Sequence, residues 1–222
     1  MTVYIIITSS LINEAADKNR DYVTRKKEYI KGITTLLERC KGKSYKLVIV
    51  ENNSLIHRRL KIIRNHATFL EKFGIPVIYT INNIYRTHNY GTKELLDIKH
   101  VITQLNIQDD DFIVKMTGRY ILDKHCPFFN VVDELDHKPY SAIIRYGAYT
   151  NYEKERGKDN CVTGLIGLKC KYVKDLYLPN DDKFIEQVWA EKIASLPEEE
   201  VCTLEKLGIF IRPAILEIYT LI

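Results

Sequence analysis

The chain has 222 residues, 45% of them hydrophobic and 28% charged, with a formal net charge of +4. That length suits one large domain or a domain with an appended lobe, and the mild charge lacks the clustered basic stripe of a nucleic-acid binder. Five scattered cysteines, Cys40, Cys126, Cys161, Cys170 and Cys202, include no C-x-x-C pair, which argues against zinc and for free thiols in a reducing compartment.

Val3 to Ile7 is a continuous apolar run, the pattern of a parallel strand buried on both faces. It carries no basic residue before it and is too short for a secretory h-region. No run approaches the roughly 20 apolar residues of a membrane span. A cytoplasmic protein without a transmembrane segment is expected. The first strand ends in three hydroxyls, Thr8, Ser9 and Ser10. Tyr22, Tyr29, Ile30, Ile33, Leu36 and Leu37 then recur at helical spacing, with Arg25, Lys26, Lys27 and Lys31 on the other face and an end near Cys40.

Tyr45 to Val50 predicts a second strand, ending in Glu51-Asn52-Asn53-Ser54. Ile56, Leu60, Ile63, Ala67 and Leu70 predict a helix, with Gly74 as its C-terminal cap. Pro76 opens a third strand, Val77 to Thr80. Gly91-Thr92-Lys93-Glu94 opens a helix in which Leu95, Ile98, Ile102 and Leu105 share a face. Phe112 to Met116 predicts the fourth strand, ending in Thr117-Gly118-Arg119-Tyr120. The order β-α-β-α-β-α-β with helical crossovers favours parallel strands and right-handed connections.

The rest is less regular. Ala142 to Arg145 and Cys161 to Leu168 each predict a strand, separated by a polar, tyrosine-rich stretch that reads as an exposed loop. From Asp181 a helix is expected through Ile185, Val188, Trp189, Ile193 and Leu196. Ser195 and Glu198 spell a capping box for a following helix, with Pro197 in its first turn and Gly208 at its end. Ile209 to Ile211 predicts a last short strand. No linker divides the chain, so residues 1–222 read as one α/β domain: a nucleotide-binding half to about 120 and a smaller mixed lobe beyond.

Neither G-x-G-x-x-G nor G-x-x-x-x-G-K-[ST] follows the first strand. Most dinucleotide enzymes and P-loop kinases are thereby excluded. The loop after the first strand lacks the glycines and charge of a nucleotidyltransferase. What remains is a hydroxyl-rich first strand end and Leu47-Val48-Ile49-Val50-Glu51-Asn52-Asn53-Ser54. This second stretch resembles the V-D-N-x-S strand end of GT-A glycosyltransferases. Lys115-x-Thr117-Gly118-Arg119-Tyr120 looks like a segment of small bacterial and viral sugar transferases, and stands where metal-dependent members carry D-x-D.

The resemblance spans residues 3 to 120 and implies a GT-A-like Rossmann-type fold with a mainly parallel central sheet. It also implies a nucleotide-sugar donor, such as a UDP- or GDP-sugar, and a hydroxyl acceptor on a glycan. By that similarity Thr8, Ser9, Ser10, Glu51 and Asn53 meet the nucleoside. Thr117 and Arg119 occupy the D-x-D positions. Arg119 cannot hold a cation, but it pairs bidentately with phosphate oxygens. With Lys115 or Lys93 it is expected to offset the diphosphate charge, so a metal-independent enzyme is favoured. Asp109-x-Asp111 spells D-x-D but precedes its strand and reads as a solvated turn. Gly91 and Lys93 open a helix whose positive end favours an anion, and the resemblance places Gly118 with them among the nucleotide-sugar-binding residues.

Inversion at the sugar needs a general base. Asp182 and Glu186, four apart, are the expected candidates on one helix face. Arg145, Tyr149 and Trp189 are assigned to the acceptor side. The alternative from another class is a non-catalytic nucleotide-binding or assembly module of the same fold.

Overall fold

The computed structural model describes residues 1–11, 22–53, 68–82, 90–138, 140–147, 157–179, 182–211 and 220–222. The strands are β1 (Val3–Ser9), β2 (Lys46–Glu51), β3 (Val77–Tyr79), β4 (Phe112–Thr117), β5 (Ile121–Leu122), β6 (Ala142–Ile144), β7 (Leu165–Lys169), β8 (Val201–Thr203), β9 (Ile209–Ile211) and β10 (Thr220–Leu221). The helices, numbered in order, are α1 (Tyr22–Cys40), α2 (Tyr90–Gln104), α3 (Pro127–Asp133), α4 (Cys170–Asp175) and α5 (Ile185–Ala194).

Seven strands form one sheet in the order β3-β2-β1-β4-β7-β6-β8. β1 pairs in parallel with β2 and β4, β2 with β3, and β6 with β8. β7 runs antiparallel to both β4 and β6. The sheet is therefore mainly parallel with one reversed strand, as the apolar runs imply. β10, β9 and β5 make a second, antiparallel sheet.

Strand alternation sorts the core into two layers. Ile5, Ile7, Ile49, Phe112, Val114 and Met116 pack toward Tyr29, Ile33 and Leu36 of α1. Tyr4, Ile6, Val48, Val50 and Ile113 pack toward Leu95, Ile98 and Ile102 of α2 and Val188, Trp189 and Ile193 of α5. α1 comes unusually close to the sheet end. A Cβ on Gly32 would lie 2.3 Å from the Gly118 oxygen, so only glycine admits this approach. No helix among the described residues is long and apolar enough to cross a membrane.

Several expected elements differ. No helix follows Ser195. That residue ends α5, and its hydroxyl donates to the Lys192 carbonyl at 2.7 Å. A single 3-10 turn, Glu198–Glu200, leads directly into β8. The β-favouring run Val201-Cys202-Thr203 finds a partner in β6 and overrides the capping-box pattern. α5 begins at Ile185 rather than Asp181, so Asp182 precedes the helix and shares no helix face with Glu186. The strand expected from Cys161 begins only at Leu165, and Cys161 makes an isolated bridge to Tyr146. α2 stops at Gln104, leaving Leu105 exposed. The helix expected over Ile56 to Leu70 lies mostly outside the described residues.

Candidate active site

The connections run from β1 outward to β2 and β3, then return to the other side of β1 at β4. That reversal is the topological switch point of an open α/β sheet, where ligands bind beyond the strand carboxyl ends. Thr8 and Thr117 face each other across it, two register steps beyond Ile6 and Lys115.

Lys115 belongs to a strand of apolar residues and is 1% exposed. Such a charge needs a partner. Its Nζ lies 2.8 Å from Glu94 Oε1 and donates to Thr117 Oγ1 at 3.0 Å and to the Thr163 carbonyl at 2.6 Å. Glu94 Oε1 also accepts from the Thr8 hydroxyl at 2.6 Å. On the far side, Thr163 Oγ1 donates to Glu186 Oε1 at 3.3 Å, and the Cys161 thiol donates to the Glu186 carbonyl at 3.1 Å. Burial is the main force raising the Glu186 carboxyl above the usual range, with the nearby Glu94 adding to it and Lys115 opposing it. α2, β1, β4, the turn before β7 and α5 thus converge on one network with a carboxylate at each flank.

A second network stands behind β1 and β2. Glu51, 0% exposed, accepts from Ser9 Oγ at 2.5 Å, from the Asn53 amide N–H at 3.0 Å and from Asn53 Nδ2 at 2.6 Å. Burial raises its carboxyl and these donors oppose the rise. Glu51 therefore ties the two strand ends together. Beyond it, Asp97 of α2 accepts from Thr80 Oγ1 at 2.5 Å, Asn82 Nδ2 at 2.7 Å and Asn52 Nδ2 at 3.1 Å. Burial pushes the Asp97 carboxyl up to about 7. The same burial lowers Lys93, with Asp97 opposing the drop.

The remaining predicted residues fall as follows. The Ser10 amide donates to the Tyr29 hydroxyl at 2.9 Å, and its carbonyl accepts from Arg25 Nη2 at 2.5 Å. Gly91 and Lys93 lie in the first turn of α2. The Gly118 amide donates to the Thr8 carbonyl, which fixes the turn bearing Arg119. The Arg119 guanidinium lies 5.1 Å from the centroid of the Tyr120 ring. Arg145 Nε donates to the Glu205 carbonyl. Asp182 is exposed, whereas Trp189 is 1% exposed within the second core. Tyr149 lies outside the described residues. Asp109 and Asp111 sit at the opposite end of β4, where Asp111 caps the Thr2 amide and Asp109 pairs with Lys174.

In the sequence Glu94 is simply an acid at the opening of a helix, which the helix dipole accounts for, and no pattern singles out Asp97 or Thr163. The available signal was Lys115 itself. A lysine inside an apolar strand, on a face covered by helices, calls for a carboxylate nearby.

No family model matches the sequence, and no curated protein matches it. Solved structures do. A protein assigned as a nucleotide-diphospho-sugar transferase from Desulfovibrio desulfuricans superposes with a TM-score of 0.53 at 14% identity, over 92% of this chain and 80% of that one. The two proteins share a fold. A mannosyltransferase from Pyrobaculum calidifontis, in complex with GDP-Man and Mn2+, gives 0.53 at 12% identity over 91% of this chain. The present chain spans only 56% of that protein's length. A protein assigned as a glucose-1-phosphate thymidylyltransferase from Bacillus anthracis also gives 0.53, at 13% identity, covering 91% of this chain and 85% of that one.

The metal in the mannosyltransferase complex prompts a test of fit. Among the described residues no three His, Cys, Asp or Glu side chains gather as a metal site. The switch point instead carries the Lys115 ammonium, 2.8 Å from the nearest carboxylate oxygen. A divalent ion there would meet a fixed positive charge. The described residues at the switch point do not fit one.

Proposed function

We propose that this protein is a glycosyltransferase that moves a hexose or pentose from a nucleotide-diphosphate sugar, such as a UDP- or GDP-sugar, to a hydroxyl on a glycan. The observation that carries the reading is the Thr8–Glu94–Lys115–Thr117–Thr163–Glu186 network at the switch point of this fold. The strand ends joined by Glu51, with Ser9, Ser10 and Asn53, form the nucleoside wall. Gly91 and Lys93 of α2, together with Thr117, Gly118 and Arg119, face the diphosphate. Charge develops on that diphosphate as it leaves, and fixed donors stabilise it. Arg119 supplies a planar fork for phosphate oxygens. The three N–H groups of Lys115 already meet three acceptors, so its part is to build the site rather than grip phosphate.

Glu186 is the general base. The acceptor hydroxyl oxygen bonds to the anomeric carbon while the bond from that carbon to the diphosphate oxygen breaks. The bonding pair leaves with the diphosphate, and the hydroxyl proton passes to the Glu186 carboxylate. Asp182, exposed at the approach to α5, flanks the acceptor entrance together with Arg145. Trp189 supports this wall from within the core.

Thr117 and Arg119 in the D-x-D positions favour one competing reading, a nucleotide-binding or assembly module without turnover. A thermal-shift screen of UDP, GDP, CDP and their sugars, with Mn2+ and with EDTA, followed by a hydrolysis and transfer assay on the best ligand, separates the two. Ligand that binds only the folded state raises the midpoint. A shift that survives EDTA, with sugar released or transferred, is the expected result. A shift without turnover supports the module, and no shift with any nucleotide defeats both readings.

A further inference from the structure

Glu94 and Glu186 reach the same network from two different helices, yet among the described residues only Glu94 pairs with a cation. Lys115 pairs with Glu94 at 2.8 Å, and no ion pair joins it to Glu186. Its other two donors go to Thr117 Oγ1 and the Thr163 carbonyl, so the ammonium is locked. Thr163 bridges the two sides: its carbonyl accepts from Lys115 and its hydroxyl donates to Glu186. Glu94 Oε1 holds both Thr8 and Lys115, while Oε2 has no hydrogen-bond partner among the described residues.

We propose that Lys115 is a positioning residue whose locked ammonium, given to Glu94 and withheld from Glu186, decides which of the two carboxyl groups carries the proton of the reaction. The assignment rests on the transferase reading for its purpose, and on the geometry alone for its electrostatics. Two carboxyl groups in one site, one paired with a fixed cation and the other not, are placed for divided roles. Four groups face Glu186: Glu94 from α2, Lys115 from β4, Tyr120 from the turn after β4, and Cys161 from the turn before β7. Among these four, Lys115 is the positive one. Burial and Glu94 favour the protonated form of Glu186, and Lys115 restrains them. Lys115 thereby opposes protonation of Glu186 without an ion pair to it.

The test is a carbon-13 carboxyl NMR titration of Glu186 in the full chain, its resonance assigned by loss in Glu186→Gln. Lys115→Met is expected to move the Glu186 midpoint upward, and Glu94→Gln to move it downward. A role in stability alone moves neither. Either substitution breaks a buried ion pair, which is strongly destabilising, but Gln at 94 still offers an oxygen to Lys115 and Thr8, so Glu94→Gln decides the matter if Lys115→Met does not fold. In that variant Lys115 retains Thr117 and Thr163. A Glu186 midpoint unchanged in Glu94→Gln, or moved upward by it, overturns the proposal. Midpoints that move as stated while no nucleotide sugar is turned over leave the electrostatic assignment standing and defeat the transferase reading. Where turnover is present, the acidic limb of the pH–rate profile is expected to follow the same two directions.

Discussion

Gly32→Ala sets two effects of opposite sign against each other. In an ordinary helix interior, alanine is better than glycine by about 1 kcal/mol. Here a methyl at Gly32 would lie 2.3 Å from the Gly118 oxygen and 2.6 Å from the Tyr120 oxygen. Carbon–oxygen contacts begin near about 3.3 Å, so α1 or the turn must retreat by about 1 Å. Both obstacles are backbone atoms and cannot rotate away. Overpacking that forces backbone shifts costs about 1–3 kcal/mol, and the upper end applies here. The net expectation is a loss of about 2 kcal/mol once the alanine gain is subtracted. For a chain of this length that lowers the melting temperature by about 4–8 °C. Urea unfolding followed by far-UV circular dichroism measures it, with the same m-value in both proteins. A variant as stable as the parent, or more so, refutes the close approach of α1 to the Gly118 turn. The turn carries Arg119, so nucleotide affinity is expected to fall with stability.

The other expectations are narrower. Asp97 is raised from its ordinary 3.8 to about 7 on folding, so its stabilising contribution is complete below about 4 and is lost as the pH rises through about 7. Asp97→Asn removes that slope from urea midpoints measured between pH 4 and 8. The Asn52 amide can turn so that its buried, unpartnered Oδ1 accepts from the new amide. Identical slopes in the two proteins would count against the burial argument. Glu186→Gln is expected to lower kcat by about 10²–10⁴-fold with donor KM little changed; an unchanged kcat removes Glu186 as the base. Arg119→Lys keeps the charge and loses the planar fork, so nucleoside-diphosphate binding should weaken by about tenfold, roughly one charged hydrogen bond. Calorimetric titration with the bare nucleoside should show no loss, and an equal loss there places Arg119 away from phosphate.

The first half of the fold was legible because its strands are buried on both faces. Ile5-Ile6-Ile7, Val48-Ile49-Val50 and Ile113-Val114 appear as unbroken apolar runs, and the helices between them keep a clear helical period. Beyond Tyr120 the strands are short and their partners distant in sequence. β8 pairs with β6 some 60 residues earlier, a fact no local pattern carries. The same limit applied to the site. Thr8, Ser9 and Glu51 were visible as polar strand ends. Glu94 was not, because a carboxylate near the start of a helix satisfies the dipole rule equally well. Its role depends on Lys115, which approaches from a strand 21 residues later. Asp182 and Glu186 looked equivalent until the helix start separated them.

The neck beside β6 has a consequence for how the protein can diversify. Tyr146 and Cys161 form a bridge, the Gly147 amide donates to the Asn160 carbonyl at 2.9 Å, and the Val162 amide donates to the Arg145 carbonyl at 3.0 Å. The two ends of the intervening segment are thus stapled together by the body of the protein. For a segment closed at its base, doubling the length costs only about 0.6 kcal/mol of chain entropy. Insertions there leave Thr163, Lys115 and the sheet register where they are. On the transferase reading proposed above, exchange of this one segment is a route to a changed acceptor preference that leaves the Lys115 network in place.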